Sequence, residues 1–208
     1  MKFERRTFKV EVRKSEDGRK INGTAVVFNQ LSENLGGFRE QIKPEAFDGC
    51  DMADVRCLFN HDDNQVLGRT ASKTLTLSRD ASGLHFECDA PDTTYARDLA
   101  VCMERGDVDQ CSFSFTVPPG GAEWTEDRDA GYEVRTVTKI SRLFDVSVVT
   151  YPAYTQTSAD LRSNAEILSE RAAAGRSETP TEGGVDMRTV NSRMDTAACE
   201  MSLTKETK

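Results

Sequence analysis

Two histidines are the starting point for acid–base chemistry, because the 208-residue chain contains only His61 and His85. His61 follows the apolar run VRCLF and opens the polar turn NHDD, so the end of a strand would hold its ring rigidly. His85 lies on the polar face of an alternating segment beside Glu87, which is typical of an exposed or structurally paired residue. His61 is therefore the stronger candidate for a general base. Its competing interpretation is a surface-turn histidine.

The segment CSFSF over residues 111–115 offers two hydroxyl groups in one orientation. Side chains of a β-strand alternate between two faces, so Ser112 and Ser114 share one face while the phenylalanines beside them share the other. A strand pinned by buried aromatic rings is a rigid mount for a nucleophile. The same pattern also fits a plain strand with a polar outer surface, so it indicates a nucleophile only in combination with other residues.

Asp145 lies within the run LFDVSVV, whose apolar residues predict a largely buried strand. A buried carboxylate without a partner is energetically costly, so Asp145 should contact a donor. A histidine N–H is one candidate. The neighbouring Arg142, in a structural ion pair, is an equally good one.

Together these three residue types are what serine hydrolysis requires. A serine hydroxyl is too weak an acid to attack an amide unaided, so a histidine takes its proton and a carboxylate orients that histidine. The order His, Ser, Asp is acceptable because unrelated folds order their triads differently. The motifs GxSxG and HExxH are absent. A metal-dependent hydrolase that uses His61, Asp62, Asp63 and a cysteine is a weaker alternative.

The composition and charge of the chain restrict the classes of partner that it can bind. A net charge of -8 and a pI near 4.9 disfavour nucleic acid as the main partner. The mixed-charge stretch from Arg5 to Lys14 predicts a solvated strand face. The N-terminus lacks the apolar core of a signal peptide, and no run reaches the roughly 18 apolar residues of a membrane span. We therefore expect a cytoplasmic protein with no membrane partner.

The six cysteines show no CxxC pair, so we expect reduced and mostly buried thiols and neither a metal nor another cofactor. A thiol nucleophile, Cys57 or Cys111, is less favoured than a serine, because strand alternation turns Cys111 towards the core.

The elements that must position these residues are mostly short strands. Residues 2–13 predict either one strand with a bulge or two short strands. A helix capped near Thr93 should run to about Arg105 and end at Gly106. The further predicted strands are 20–28, 38–42, 55–59, 73–79, 83–89, 110–117, 132–140 and 143–151. The fold class that follows is mainly β with flanking helices (α+β), arranged as a small β-barrel or sandwich.

Several segments together resemble a known family. They are NHD followed by LGRT, then GDVDQCSFSF, then LFDVSVVTYPAY, with INGTAVVFN and KPEAF earlier in the chain. This ordered set resembles the caudovirus prohead serine proteases over roughly residues 20–157. The resemblance implies that His61 is the base, Ser112 rather than Ser114 the nucleophile, and Asp145 the acidic member. This chain has Ser114 where the family often has Gly, and Asp145 where it often has Glu.

The resemblance also implies a fold and a role. The fold would be a small closed or partly closed β-barrel of the herpesvirus-protease type. The substrates would be scaffolding protein and the major capsid protein, cut inside the phage procapsid in the host cytoplasm, with self-cleavage. A homodimer is suggested by the same analogy. The alternative is a non-enzymatic capsid-assembly or scaffold module on the same fold.

The domain organisation is predicted from changes in amino-acid composition along the sequence. Residues 1-158 would form the β domain, and 159-175 a C-terminal helix. Residues 176-208 are polar and have no aromatic side chain, so they predict a disordered tail. The oxyanion hole would use backbone N–H groups near Arg142 and Leu143 or in the Gly120-Gly121 loop.

Overall fold

The computed structural model of the chain describes residues 3–8, 13–14, 20–127, 131–151 and 164–172. All of the strands lie in a unit of residues Met1–Ser169, and Glu170–Lys208 form a second unit. The predicted tail, 176–208, lies outside the described residues, as do the ends of the predicted helix 159–175. Within the described part of the chain, no helix is long and apolar enough to cross a membrane.

Twelve strands and two α-helices make up the described part, together with a short 3₁₀ helix at Pro44–Phe47. The helices are α1 (Thr94–Glu104) and α2 (164–172). The strands are β1 (Glu4–Phe8), β2 (Arg13–Lys14), β3 (Lys20–Val27), β4 (Phe38–Ile42), β5 (Arg56–Phe59), β6 (Val66–Arg69), β7 (Leu75–Arg79), β8 (Gly83–Asp89), β9 (Gln110–Thr116), β10 (Ala122–Asp127), β11 (Tyr132–Val137) and β12 (Arg142–Val149).

The mainly β prediction is confirmed, but the predicted barrel is not supported. The described strands form three sheets, in the orders β1-β9-β12-β5-β6, β10-β11-β4 and β2-β3-β8-β7. Each sheet has two free ends in these ladders, whereas a barrel needs a ladder that joins its edge strands. Alternation along a sequence reports which face of a strand is buried. It does not report which strands pair, so closure could not be derived from it.

The most regular patterns in the sequence fold as predicted. β7 and β8 form the expected antiparallel hairpin, in which Leu75 lies opposite Cys88 and Leu77 opposite Phe86. α1 begins after its N-cap Thr93 and ends at the C-cap Arg105. Gly106 follows with φ of 77°, a conformation that glycine adopts readily.

α2 lies within the segment 159–175, for which the sequence predicts a C-terminal helix. Ile167 is buried against Leu35 and Phe38, and Leu168 packs on the same cluster. Phe38 belongs to β4, and Trp124 of β10 tilts against it with ring centroids 5.2 Å apart. This satellite cluster therefore joins α2 to the three-stranded sheet.

Two strands, β6 and β10, were not predicted from the sequence. β6 has four residues and includes Gly68, and β10 has the sequence AEWTED with one large apolar side chain. Neither carries the alternation that predicts a half-buried strand. The first predicted strand is divided, since β1 pairs with β9 while β2 pairs with β3.

The stretch from Arg5 to Lys14 is not simply a solvated face, because Arg6 is 3% exposed. Its guanidinium joins a buried ionic quartet formed by Glu4, Arg6, Glu40 and Arg135. Arg6 Nε lies 2.6 Å from Glu40 Oε1, and Arg135 Nη2 lies 2.9 Å from Glu4 Oε1. Two positive and two negative groups balance, so the quartet ties β1 to β4 and β11 without a net buried charge.

Burial alone would raise the pKa of Glu40, but the charges and hydrogen bonds of Arg6 and Arg135 outweigh it and hold that pKa below its ordinary value. We therefore expect Glu40→Gln to lower the free energy of unfolding by about 3–5 kcal/mol, because Arg6 and Arg135 would then share the single carboxylate of Glu4. Denaturant unfolding at neutral pH measures this loss.

The control is Glu87→Gln, which removes one partner of Lys20, from a pair with an N–O distance of 2.8 Å and both side chains about half exposed. That loss should stay below about 1 kcal/mol. Equal unfolding midpoints for the two variants would contradict a stabilising role for the quartet.

Candidate active site

Three elements of the five-stranded sheet bring His61, Ser112 and Asp145 together. Ser112 lies in β9 and Asp145 in β12, while His61 lies in the turn that follows β5. His61 Nε2 is 2.7 Å from Ser112 Oγ, and His61 Nδ1 is 2.7 Å from Asp145 Oδ1. A continuous hydrogen-bonded relay therefore joins hydroxyl, imidazole and carboxylate, and these are the residues expected from the sequence.

Hydrogen-bond chemistry fixes the direction of the relay. An ionised carboxylate only accepts hydrogen bonds, so His61 Nδ1 must carry a proton and donate it to Asp145. In the neutral ring, Nε2 is then unprotonated and accepts the hydrogen of the Ser112 hydroxyl. This is the tautomer in which the imidazole can take a proton from the serine.

Two further hydroxyl groups lie beside the carboxylate. Ser147 Oγ donates to Asp145 Oδ1 at 2.7 Å, and Ser114, which lies opposite Asp145 in the β9–β12 pairing, helps to lower the pKa of that carboxyl. Ser114 Oγ in turn accepts from Arg5 Nε at 3.3 Å. Ser147 was missed by sequence reasoning, although its position two residues after Asp145 on a strand puts both side chains on one face.

Ser114 and Ser112 occupy different places in the relay. Ser114 Oγ is 3.4 Å from His61 Nδ1, which is the nitrogen that already faces Asp145. Ser112 Oγ approaches the other nitrogen, which is free to act as a base. The geometry therefore separates a hydroxyl that faces the base from one that supports the acid.

The pKa of Asp145 lies below its ordinary value of 3.8. Burial alone would raise it, since the residue is 7% exposed. The hydrogen bond and charge of His61 outweigh that effect, and Ser114 and Ser147 add to them. Asp145 therefore stays ionised in neutral and mildly acidic solution.

Arg142 and His85, the two alternatives that the sequence left open, contact residues outside the triad. Arg142, which competed with His61 for Asp145, lies near Asp51, with Nε 3.5 Å from Oδ2, and over the ring of Phe144. His85 has its Nδ1 3.0 Å from Thr24 Oγ1 and its Nε2 3.1 Å from Asp80 Oδ1. His85 is therefore a structurally paired residue of the β7–β8 hairpin.

The cysteines considered as nucleophiles are poorly suited to that role. Burial raises the pKa of Cys111 to about 12. A hydrogen bond from the Cys57 thiol to Cys88, together with burial, raises the pKa of Cys57 well above its usual range. Both therefore stay protonated at neutral pH, whereas a nucleophilic cysteine reacts as its thiolate.

A metal centre built on His61, Asp62 and Asp63 does not fit either. In the described part of the chain, no cluster of three or more His, Cys, Asp or Glu side chains could hold an ion. Asp62 instead accepts bonds from the backbone and side chain of Asn64.

Two backbone groups suggested for an oxyanion hole already have acceptors. The N–H of Leu143 donates to Asp51 O at 3.1 Å, and that of Gly121 donates to Pro118 O at 2.9 Å. An oxyanion donor must be free to point at the reacting oxygen. Leu143 and Gly121 are therefore unsuitable in this conformation.

Access to the relay is closed. Ser112 is 1% exposed, Ser114 is 2% and Ser147 is fully buried. The side chain of His61 is only 11% exposed to solvent. A peptide carbonyl can therefore reach Ser112 Oγ only after a local movement of the protein.

The family model described as caudovirus prohead serine protease matches residues 8–170 of the chain. Among solved structures, the bacteriophage T4 capsid assembly protease, gp21, matches with a TM-score of 0.40 and 10% sequence identity, over 70% of this chain and 98% of the T4 chain. No curated protein matches the chain. The family match spans His61, Ser112 and Asp145.

The lowered pKa of Asp145 predicts a specific dependence of stability on pH. The unfolded chain takes up this proton first, so the stabilisation is fully present above the ordinary pKa of 3.8 and is lost as the pH falls through the lower folded value. Between about pH 5 and pH 2, the free energy of unfolding of the native protein should therefore fall more steeply than that of Asp145→Asn. Urea titrations across this range measure both slopes.

Ser112→Ala is the matched control, because it leaves Asp145 with His61, Ser114 and Ser147. It should keep the native slope. An Asp145→Asn slope equal to the native one would mean that the folded protein does not lower this pKa.

Proposed function

The chain belongs to the caudovirus prohead serine protease family, and we propose that it is a serine endopeptidase with Ser112 as nucleophile, His61 as general base and Asp145 as the acid that orients the base. The observation that carries this proposal is the relay, in which His61 lies 2.7 Å from both Ser112 Oγ and Asp145 Oδ1. Family membership supports a serine peptidase of phage capsid maturation. The residue roles are the finer part of the proposal.

The first half of the reaction forms an acyl-enzyme. Ser112 Oγ attacks the scissile carbonyl carbon while His61 Nε2 takes the hydroxyl proton. The protonated imidazole then gives that proton to the leaving amine, and the C–N bond breaks. Asp145 remains ionised throughout and stabilises the charged imidazole through its bond to Nδ1.

The second half releases the acyl group. Water enters where the amine left, and His61 Nε2 takes one of its protons as the oxygen attacks the ester carbonyl. The imidazole returns this proton to Ser112 Oγ as the ester bond breaks. Ser114 and Ser147 hold the carboxylate of Asp145 still, so the imidazole keeps its orientation through both halves.

The substrates we propose are the scaffolding protein, or the scaffolding segment of the major capsid protein, inside the immature procapsid. Self-cleavage of the chain is part of the same proposal. The support for this is membership of a prohead protease family. The buried state of Ser112 agrees with an enzyme whose activity depends on its surroundings, because a closed site protects bystander proteins from cleavage.

The test is co-expression of the full chain with the capsid and scaffolding proteins of the same phage, read by intact-mass spectrometry. The native chain should trim at least one of the three proteins. Ser112→Ala should reduce the cleavage rate by about 10⁴-fold or more, because no other hydroxyl faces His61 Nε2 among the described contacts.

Ser114→Ala is the matched control, since it removes a hydroxyl from the same face of the same strand. It should slow cleavage by about 10- to 100-fold, the loss expected for one hydrogen bond to a charged group. Full activity in Ser112→Ala with none in Ser114→Ala would reverse the nucleophile. Assembly of a procapsid without any cleavage by the native chain would favour the non-enzymatic assembly module.

A further inference from the structure

Asn60, the residue before His61, is tied to the end of β12 by three hydrogen bonds. Its backbone N–H donates to Val148 O at 2.8 Å. Its side-chain Oδ1 accepts from the N–H of Thr150 at 2.9 Å, and its Nδ2 lies 3.1 Å from Thr150 Oγ1. Asn60 itself is exposed, so core packing does not explain why an amide stands at this position.

The turn that Asn60 opens has an unfavourable backbone. Asn60 and His61 have φ of 53° and 56°, and the N–H of Asp62 bonds Phe59 O at 3.0 Å across them. Two consecutive residues in the left-handed region are costly unless the surroundings hold them. Asparagine tolerates this region better than most residues, and its amide bonds to Thr150 supply the restraint.

The strand to which Asn60 is tied carries one partner of His61 and pairs with the strand that carries the other. β12 contains Asp145, and it places Ser147 opposite Ser112 of β9. Fixing the turn to β12 therefore fixes the imidazole with respect to both the carboxylate and the hydroxyl. A shift of about 1 Å at the turn is enough to break a relay whose two contacts are both short.

We propose that Asn60 is a positioning residue, which acts through Thr150 to hold His61 between Asp145 and Ser112. Its effect on catalysis rests on the serine protease function proposed above. Its effect on the imidazole does not, because the His61–Asp145 hydrogen bond exists whether or not the chain cleaves peptides.

Asn60→Gly tests the proposal, since glycine keeps the positive φ but removes both side-chain bonds to Thr150. Thr150→Val removes only the acceptor of Asn60 Nδ2 and keeps the backbone donor, so it should give a smaller effect in the same direction. The matched control is Asn29→Gly. Asn29 has the same backbone conformation, with φ of 57°, and bonds Lys43 rather than any residue of the relay.

The first readout is proton NMR of the imidazole groups in the full chain, which contains only two histidines. The native protein and Asn29→Gly should show a slowly exchanging, strongly downfield proton on His61 Nδ1. In Asn60→Gly this resonance should move upfield and exchange with water at least about 10-fold faster, because the hydrogen bond to Asp145 is no longer held.

The second readout is the reaction of Ser112 with diisopropyl fluorophosphate, followed by intact mass. Asn60→Gly should lower the limiting inactivation rate by about 10- to 100-fold and leave the half-saturating concentration within about 3-fold, since a positioning residue does not touch the reagent. Thermal melts show whether each variant folds. If Asn60→Gly does not fold, Thr150→Val tests the positioning role of Asn60 in its place.

The outcomes separate the two proposals. An unchanged Nδ1 resonance and an unchanged inactivation rate in Asn60→Gly would overturn the positioning role while leaving the protease function intact. A change confined to the half-saturating concentration would also overturn it, by making Asn60 a contact residue. If Ser112 never reacts in the isolated native chain, the closed site excludes the reagent. The co-expression test then decides the protease function, and the NMR comparison still decides the role of Asn60.

Discussion

The register of β12 between its two neighbours is the constraint on which the site depends. β12 pairs antiparallel with β9 and parallel with β5, which puts Ser147 opposite Ser112 and Asp145 opposite Ser114. A slip of one residue would turn each of these side chains to the other face. The bulge between Leu143 and Asp145 is part of the same constraint, because regular alternation would put both on one face. The extra residue lets Leu143 enter the core while Asp145 enters the site.

This bulge also marks the boundary of what the sequence could predict. Local patterns identified the two faces of β9, the β7–β8 hairpin and α1, since each depends on neighbours within about ten residues. The candidate triad came from residue types and from a resemblance, and its geometry needed contacts 51 and 84 residues apart. The support of Asp145 by Ser147 and the clamp between Asn60 and Thr150 depend on the same non-local pairing. The division of the strands into three sheets is non-local as well. The expected barrel was predicted from the strand pattern and from a resemblance, and neither specifies the ladders in this chain.

The buried quartet is a second long-range constraint on the site, and it acts through charges rather than through strand register. Glu4 and Arg6 lie in β1, which is the neighbour of β9, the strand that carries Ser112, and their partners lie in β4 and β11. A buried ion pair contributes little net stability compared with apolar packing, but it penalises any arrangement that leaves one charge alone. We infer that the quartet fixes where β1 lies along β9. Arg5 is then held beside Ser114, which lies opposite Asp145 in the β9–β12 pairing.

Chemical competence and access are separate properties of this site. The relay is assembled before any substrate arrives, so binding does not have to organise it, and the lowered pKa of Asp145 keeps the charge of the acid constant. Ser112 is nevertheless buried, so the proposed reaction with a peptide requires an open form of the protein. A partner raises that population only by binding the open form more tightly than the closed one. For the protease proposed above, the physical route to activation is therefore a surface that stabilises an open form, and it requires no change in the triad itself.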